Sequence, residues 1–559
     1  MFQYPPLTPE EREHYDLLNE ENVRFLRRRY NHINRWVVAD ISRRSAYRYP
    51  DKPALIYRNI TLSYRQLEEE SNRVANALIA LGLKKYDRIA ILAHNTIDHV
   101  LTWLGTAKAG GVYLAVNYLL RGKDIAYCLN HSEATVFIVE DALYDLVKDI
   151  LGEIPTVKTL FWSRQGSGQE VPAGFSDFEI WYRQYTAAEP DVELQIEDPV
   201  QMTYTSGTES LPKGVILSNQ SLLAEYTSCI IDGEYTRHDV ILNALPIYHC
   251  AQRDVFLTPA FMVGATNILM FNPNVKEIME NIVKYRVTIF FAPPTVWISL
   301  MRHPEFENFD LSSIAKGYYG ASIMPVAVLK EVVRRLPGCQ RFYNYYGQTE
   351  LGPYHTMLRP EDMLTKPGSA GTAGLNMESQ LEDLEHRALA QPGIPGEICG
   401  RGPHAMLLYF KDPDKTEKTF EHGWFHSGDI GILDEDRYIT VIDRKKDMVK
   451  TGGENVPGRE VEEIIYQDGR VSEVAVIGLP HEKWVEAVTA LVVPKPGNNV
   501  SEEEIIQLCR ENLPAFKVPK GVIFLPELPK TPSGKILKRD LRSLYAAHYL
   551  EQKKAKDLD

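Results

Sequence analysis

Between Leu62 and Leu81 apolar side chains recur at Leu67, Val74, Ala77, Leu78 and Leu81, the spacing of a helix with one buried face, and the run ends at Gly82. Asp87–Ala93 (DRIAILA) follows at once as a short, nearly continuous apolar run that predicts a strand covered on both faces. A helical Val100–Ala109 then leads through Gly110-Gly111 into the strand run Val112–Val116, and Ala134–Val139 repeats it. Such alternation predicts βα units, hence a largely parallel sheet with helices on both sides. The pattern returns between Val240 and Ala292, where Ile289-Phe290-Phe291-Ala292 stops at Pro293-Pro294.

From Gly368 to Asp443 the texture changes to short strands and Gly/Pro turns, which predicts a small antiparallel, β-barrel-like unit. Beyond Asp443-Arg444-Lys445-Lys446 the pattern gives a helix at Arg459–Tyr466, strands at Val471–Ile477 and Ala487–Val493, a helix at Ser501–Asn512 and a strand at Gly521–Phe524. That is a separate α+β domain, and the closing EQKKAKDLD reads as a polar tail. The predicted fold class is α/β. It comprises a large N-terminal domain, 1–443, of two stacked βαβ-type subdomains plus the β-rich unit at about 368–443, then a small C-terminal domain, 447–559.

Composition narrows the function. A formal net charge of −13 gives no electrostatic reason to approach nucleic acid. The six cysteines are scattered without a C-x-x-C pair, as expected of a reduced, cytoplasmic chain without structural zinc. The N-terminus is charged where a signal peptide would be apolar, and no run approaches the roughly 18 apolar residues of a membrane span. Arg27-Arg28-Arg29 reads as the solvated face of an N-terminal helix, with weak contact to an anionic lipid surface as the alternative.

Thr203-Tyr204-Thr205-Ser206-Gly207-Thr208-Glu209-Ser210-Leu211-Pro212-Lys213-Gly214 concentrates hydroxyls, glycines and one lysine after a strand start. Backbone N–H groups, hydroxyl donors and an ammonium together can hold a polyphosphate, although the spacing is not that of a Walker loop. Tyr345-Tyr346-Gly347-Gln348-Thr349-Glu350, Trp424-Phe425-His426-Ser427-Gly428-Asp429, Asp443-Arg444-Lys445-Lys446-Asp447 and Thr531-Pro532-Ser533-Gly534-Lys535 follow in that order. Read singly, Glu350 would be a surface glutamate and Asp429 a turn residue. The ordered set resembles the adenylate-forming superfamily of acyl-CoA synthetases, 4-coumarate-CoA ligases, beetle luciferases and peptide-synthetase adenylation domains. The resemblance runs from about Tyr64 to Arg542.

The resemblance implies a two-step ligase: a carboxylate attacks the α-phosphate of MgATP to give acyl-AMP and pyrophosphate, then a thiol, that of coenzyme A, displaces AMP. It assigns Thr205, Ser206, Gly207, Thr208 and Lys213 to the phosphates of ATP, with Glu209-Ser210 departing from the family's Thr-Gly and Glu209 expected to point outward. Tyr346 matches the adenine-stacking residue, Thr349 the α-phosphate contact, Glu350 with Thr208 the Mg²⁺ site, and Asp429 and Arg444 the ribose contacts. Gly320, Ala321, Gly347 and Gln348 complete the nucleotide set. Lys535 matches the cation that bridges carboxylate and α-phosphate, 444–446 with Lys446 the hinge of a mobile C-terminal domain, and Lys450, Gly452 and Gly453 the coenzyme A face.

Pro246-Ile247-Tyr248-His249-Cys250 resembles the segment whose histidine stands beside the acyl carboxylate; Tyr248, His249, Cys250, Val296, Tyr319, Gly320 and Gly347 form the expected acyl pocket. Acetyl-CoA synthetases resemble this chain with Trp at the position of Gly347, so glycine leaves the pocket open. A medium- or long-chain fatty acid is expected, with a cinnamate-like aromatic acid, or an acyl-AMP ligase using another acceptor, as alternatives. Because no carrier-domain sequence follows Lys535, a free-standing enzyme, monomeric or homodimeric, is expected.

Overall fold

The computed structural model describes residues 6–15, 19–205, 212–320, 322, 324–336, 338–383, 389–444, 447–451, 454–530 and 536–549. The protein is mixed α/β, with parallel sheets in the large N-terminal part and a small α+β domain at the C-terminal end. The chain divides into two compact units: Met1–Asn272 with Thr349–Pro353 and Pro403–Thr416, and Pro273–Gln348 with Tyr354–Gly402 and Glu417–Asp559.

In the first unit the helix Tyr64–Ala80 starts at a capping box, in which Ser63 and Gln66 satisfy each other's backbone N–H groups, and it buries Leu67, Val74, Ala77 and Leu78. The Thr96 side chain caps Ile97–Lys108 by accepting the His99 N–H. The strands between the helices build an eight-stranded sheet in the order Leu408–Tyr409, Lys213–Ser218, Pro199–Thr205, Val112–Ala115, Arg88–Leu92, Ala134–Glu140, Thr159–Ser163, Phe175–Asp177. From Pro199–Thr205 onward the pairings are parallel, with Ile91 opposite both Ala115 and Ile138. Leu92, Leu114, Phe137, Trp162 and Met202 fill its core, each buried side chain of this size contributing about 1.5–3 kcal/mol. Val240–Asn243, Thr266–Leu269 and Pro53–Tyr57 run parallel to one another in a further sheet, edged by antiparallel Ile60–Ser63.

Inside the β-rich stretch, Pro403–Thr416 belongs to the first unit, because Leu408 and Tyr409 pair with Ile216 and Val215 and His404 is buried against the Ser228 hydroxyl. The arginine cluster on Glu20–Arg29 also splits: Arg28 is solvated, whereas Arg29 is largely buried, 3.5 Å from Glu11.

The second unit carries Ile289–Phe291, Lys316–Gly320 and Arg341–Tyr346 in parallel, continued by antiparallel Thr356–Leu358 and Thr372–Ala373. Pro294 starts the helix Pro294–Met301, whose buried Trp297 donates its indole N–H to the Tyr318 carbonyl at 3.0 Å. The β-rich segment is a four-stranded antiparallel sheet, Glu378–Asp383, Gly396–Arg401, Phe425–Leu433, Ile439–Arg444. In the C-terminal domain the strands Val471–His481 and Val485–Pro494 alternate faces. Val474, Val476, Val488 and Val492 meet Val461, Ile465, Ile505 and Cys509, while Ala475, Ile477, Leu479 and Leu491 meet Leu528 and Leu541. The hairpin outruns its apolar segments because backbone pairing continues through Pro480–Glu486 and His481–Val485.

Among the described residues no helix is long and apolar enough to cross a membrane. The expected hinge Lys446 and the tail 551–559 lie outside the described residues.

Gly371 has φ +79°, and a Cβ there would collide with the Met357 carbonyl where the strands meet. Gly371→Ala is expected to destabilise the protein by about 3 kcal/mol, a large single-site effect, read as a lowered midpoint of thermal unfolding; an unchanged midpoint would contradict this packing.

Candidate active site

In the first unit, Thr205 and Lys213 face each other across an antiparallel strand pair. Ser206, Gly207, Thr208 and Glu209 lie outside the described residues. Lys213 Nζ stands 5.5 Å from the ring centre of Tyr409, and the Tyr409 hydroxyl donates to Glu350 Oε1 at 2.9 Å. Glu350 is therefore no surface glutamate: it is 8% exposed, and its carbonyl accepts the Met406 N–H at 2.8 Å. Thr349 Oγ1 lies 3.2 Å from Cys250 Sγ. Burial pushes the Cys250 thiol up to about 12, so it stays a neutral S–H and serves no nucleophilic step at neutral pH.

His249 caps the turn Cys250–Gln252, its Nδ1 accepting the Ala251 N–H at 3.1 Å, which places the ring proton on Nε2. Its segment is held from below. Asn95 donates to the Leu245 carbonyl and accepts the Ile247 N–H, both at 2.8 Å. The buried Arg253 guanidinium donates to the Ile247 and Tyr248 carbonyls while donating one hydrogen bond to each oxygen of the Asp254 carboxylate. Tyr248 is buried and meets Tyr118 edge-on at 5.0 Å.

In the second unit, Gly320 and Tyr345 are paired neighbours at the ends of parallel strands, and a Cβ on Gly320 would lie 2.6 Å from the Tyr345 carbonyl oxygen. The close approach fixes glycine there. Next along, the Tyr346 hydroxyl donates to Asp429 Oδ2 at 2.8 Å, and Arg444 Nε lies 3.5 Å from Asp429 Oδ1. Burial, then the Asp429 charge, holds the Tyr346 phenol well above its ordinary titration, so it remains a donor. Gly428, at φ +73°, sits where the register of the strand Phe425–Leu433 shifts, just before Asp429. Gly347 and Gln348 are half-buried, Val296 is half-buried on Pro294–Met301, and Tyr319 is fully buried. Lys450 is exposed on Val449–Thr451, its backbone N–H donating to Glu486 at 2.7 Å. Ala321, Gly452, Gly453 and Lys535 lie outside the described residues.

The structure thus joins Tyr346, Asp429 and Arg444 in one cluster and Glu350, Lys213 and Tyr409 in another. Tyr409 and Asn95 carry no local sequence signal. Arg253-Asp254 does: a charged pair inside the apolar run Cys250–Val263 has to be buried with its charges matched.

A family model for AMP-binding enzymes matches residues 42–410, and one for the AMP-binding enzyme C-terminal domain matches 460–535. A long-chain-fatty-acid–CoA ligase of Escherichia coli O157:H7 is 31% identical over 537 residues, covering 90% of this chain and 94% of the relative. An indoleacetate–CoA ligase of Aromatoleum aromaticum is 32% identical, with 90% and 97% covered. The crystal structure of the anthranilate CoA ligase AuaEII with anthranoyl-AMP superposes with a TM-score of 0.84 at 26% identity, covering 91% of this chain and 97% of that one. The chain belongs to the adenylate-forming superfamily of AMP-binding enzymes and, within it, is an AMP-forming acid–CoA ligase.

Beside this machinery Glu225 is fully buried, neither carboxylate oxygen has a hydrogen-bond partner, and a Cβ on Gly352 would touch it at 2.8 Å. Burial, reinforced by Asp254 and opposed by Arg253, raises its titration well above the ordinary carboxyl range. The folded chain therefore keeps a proton that the unfolded chain loses, and stability falls as pH climbs from the carboxyl range toward the raised value, by up to about 1.4 kcal/mol per pH unit. Glu225→Gln is expected to raise the midpoint of thermal unfolding at pH 7.5 and to lose that advantage near pH 4.5. An advantage independent of pH would show that Glu225 is ionised in the fold.

Proposed function

We propose that this enzyme activates a medium- or long-chain fatty acid as acyl-AMP, with release of pyrophosphate, and transfers the acyl group to coenzyme A. The observation that carries the acid class is Gly347: beside Tyr346 the chain has no side chain where acetyl-CoA synthetases resemble it with Trp, so nothing at that position shortens the acyl pocket that the family resemblance implies. The fatty-acid ligase among the relatives supports the same reading.

In this mechanism Tyr346 stacks on adenine, while Asp429 and Arg444 accept and donate to the ribose hydroxyls. The bond from the Tyr346 hydroxyl fixes which Asp429 oxygen is offered. Thr205, Ser206, Gly207, Thr208 and Lys213 bind the phosphates; Gly320, Ala321 and Gln348 border the nucleotide. Attack brings one anion toward another, so the barrier is set by how well fixed positive charge offsets that repulsion. Lys213 and Lys535 supply it, Lys535 bridging carboxylate and α-phosphate, with the Thr349 hydroxyl on the same phosphate. The Glu350 carboxylate with the hydroxyl of Thr208 is a hard oxygen set that suits Mg²⁺, and the Tyr409 hydroxyl orients it. Mg²⁺ bound there would neutralise phosphate charge. His249 stands beside the acyl carboxylate, Lys446 is the hinge about which the 447–559 domain turns, and Lys450, Gly452 and Gly453 guide coenzyme A for the second step. Six buried cysteines, none joined in a disulfide, suit a reducing cytoplasm.

An aromatic acid is the second reading, favoured by the edge-on pair Tyr248 and Tyr118 and by the indoleacetate ligase among the relatives. Pyrophosphate release from MgATP, measured over acids from acetate to palmitate plus cinnamate and benzoate, with and without coenzyme A, separates the two. Aliphatic acids giving AMP and acyl-CoA are expected; turnover on aromatic acids alone would install the second reading, and turnover indifferent to coenzyme A would indicate another acceptor. Gly347→Trp is expected to move the kcat/KM ratio of palmitate to acetate by tenfold or more, on the order of what one pocket methylene discriminates. An unchanged chain-length profile would refute the pocket.

Lys535→Ala is expected to lower acyl-AMP formation by about a hundredfold or more and to leave thiolysis of supplied acyl-AMP within a few-fold of the parent. Equal loss in both half-reactions would remove Lys535 from its adenylation role.

A further inference from the structure

We propose that Glu382, Cys399 and His426 form a zinc-type divalent metal site inside the four-stranded antiparallel sheet. Three neighbouring strands supply the ligands. Glu382 lies directly opposite Glu397, and Cys399 directly opposite His426; residues two apart on one strand share a face, so Glu397 and Cys399 point the same way. One ligand atom from each of Glu382, Cys399 and His426 lies within 4.8 Å of the others. Cys399 Sγ is 3.5 Å and Glu397 Oε2 3.8 Å from His426 Nδ1.

The imidazole is oriented for this. Its Nε2–H donates to the Glu421 carbonyl at 3.2 Å, which leaves the Nδ1 lone pair facing the sulfur and the Glu397 carboxylate. A metal-binding histidine is typically held in just this way, by a backbone carbonyl on its other ring nitrogen.

An independent observation points to a cation. Glu382 is 4% exposed, and its Oε2 is buried with no hydrogen-bond partner, His426 Nε2 standing 3.9 Å away. A buried carboxylate oxygen without a donor is costly, and a divalent ion would offset that cost. One sulfur, one nitrogen and one carboxylate, with water completing a tetrahedron, match zinc rather than magnesium or calcium. Binding forms bonds from the metal to Sγ, Nδ1 and the Glu382 carboxylate, and the Cys399 thiol proton passes to solvent; nothing is oxidised or reduced.

The site would be structural, with one consequence for chemistry. Glu397 Oε1 accepts the Gly428 N–H at 3.0 Å and its Oε2 lies 3.8 Å from His426 Nδ1, so an ion that fixes His426 also steadies the irregular strand segment presenting Asp429. The metal is distinct from the Mg²⁺ proposed at Glu350, and the inference holds whichever acid is activated.

The test uses the full chain without nucleotide. After loading with Zn²⁺ and exhaustive dialysis, elemental analysis is expected to find about one zinc per chain, and Cys399→Ser and Glu382→Gln to retain at least tenfold less. Replacement by Co²⁺ should give a thiolate-to-cobalt charge-transfer absorption in the near ultraviolet that Cys399→Ser abolishes, and Zn²⁺ should raise the unfolding midpoint of the parent alone. Sub-stoichiometric zinc in the parent, or equal retention by Cys399→Ser, would overturn the site. Circular dichroism of both variants separates loss of metal from loss of fold, Glu382→Gln standing in should Cys399→Ser fail to fold. Acid activation is scored separately, so failure here leaves the ligase reading untouched.

Discussion

A carboxylate taken out of water costs several kcal/mol unless a donor or cation meets it, and this chain takes carboxylates out of water wherever its chemistry is expected. Each is met differently. Glu350 is held by the Tyr409 hydroxyl, Asp429 by the Tyr346 hydroxyl with Arg444 near, and Asp254 by the two-pronged Arg253 guanidinium. Glu225 has no partner and escapes the cost by keeping its proton. The unsatisfied Glu382 oxygen is the remaining case.

Those pairings need a rigid frame, and the parallel strands provide it. Thr205, Gly320 and Tyr346 each occupy the last position of a strand, Pro199–Thr205, Lys316–Gly320 and Arg341–Tyr346. In open α/β sheets ligands bind beyond the carboxyl ends of the strands, because helix crossovers cover the faces and leave those ends free. Side chains buried on both sides lock the strands. The stacked Tyr318 and Tyr343, 4.7 Å apart, and the indole of Trp297 bonded to the Tyr318 carbonyl leave Gly320 little room to shift.

Much of the fold was readable in the chain. The apolar spacing of Leu67, Val74, Ala77 and Leu78 located the helix Tyr64–Ala80, and the apolar runs at 88–92, 112–115 and 134–140 located the parallel strands, since doubly covered strands must be apolar throughout. The course of Pro403–Thr416 was hidden, because its short strand Leu408–Tyr409 pairs with residues nearly two hundred positions earlier and its local pattern resembles the strands around it.

The sequence by itself determined the alternation of elements, the antiparallel unit and C-terminal domain, and the ordered motifs that mark an adenylate-forming enzyme, since all of these depend on residue type and local spacing. The tertiary structure alone decided that Glu350 is buried against Tyr409, that Tyr346 and Asp429 share a hydrogen bond, that Arg253 supports the His249 segment, and that Glu382, Cys399 and His426 converge. These contacts join residues far apart along the chain or on neighbouring strands, and their energies depend on distance and burial, which no local pattern encodes.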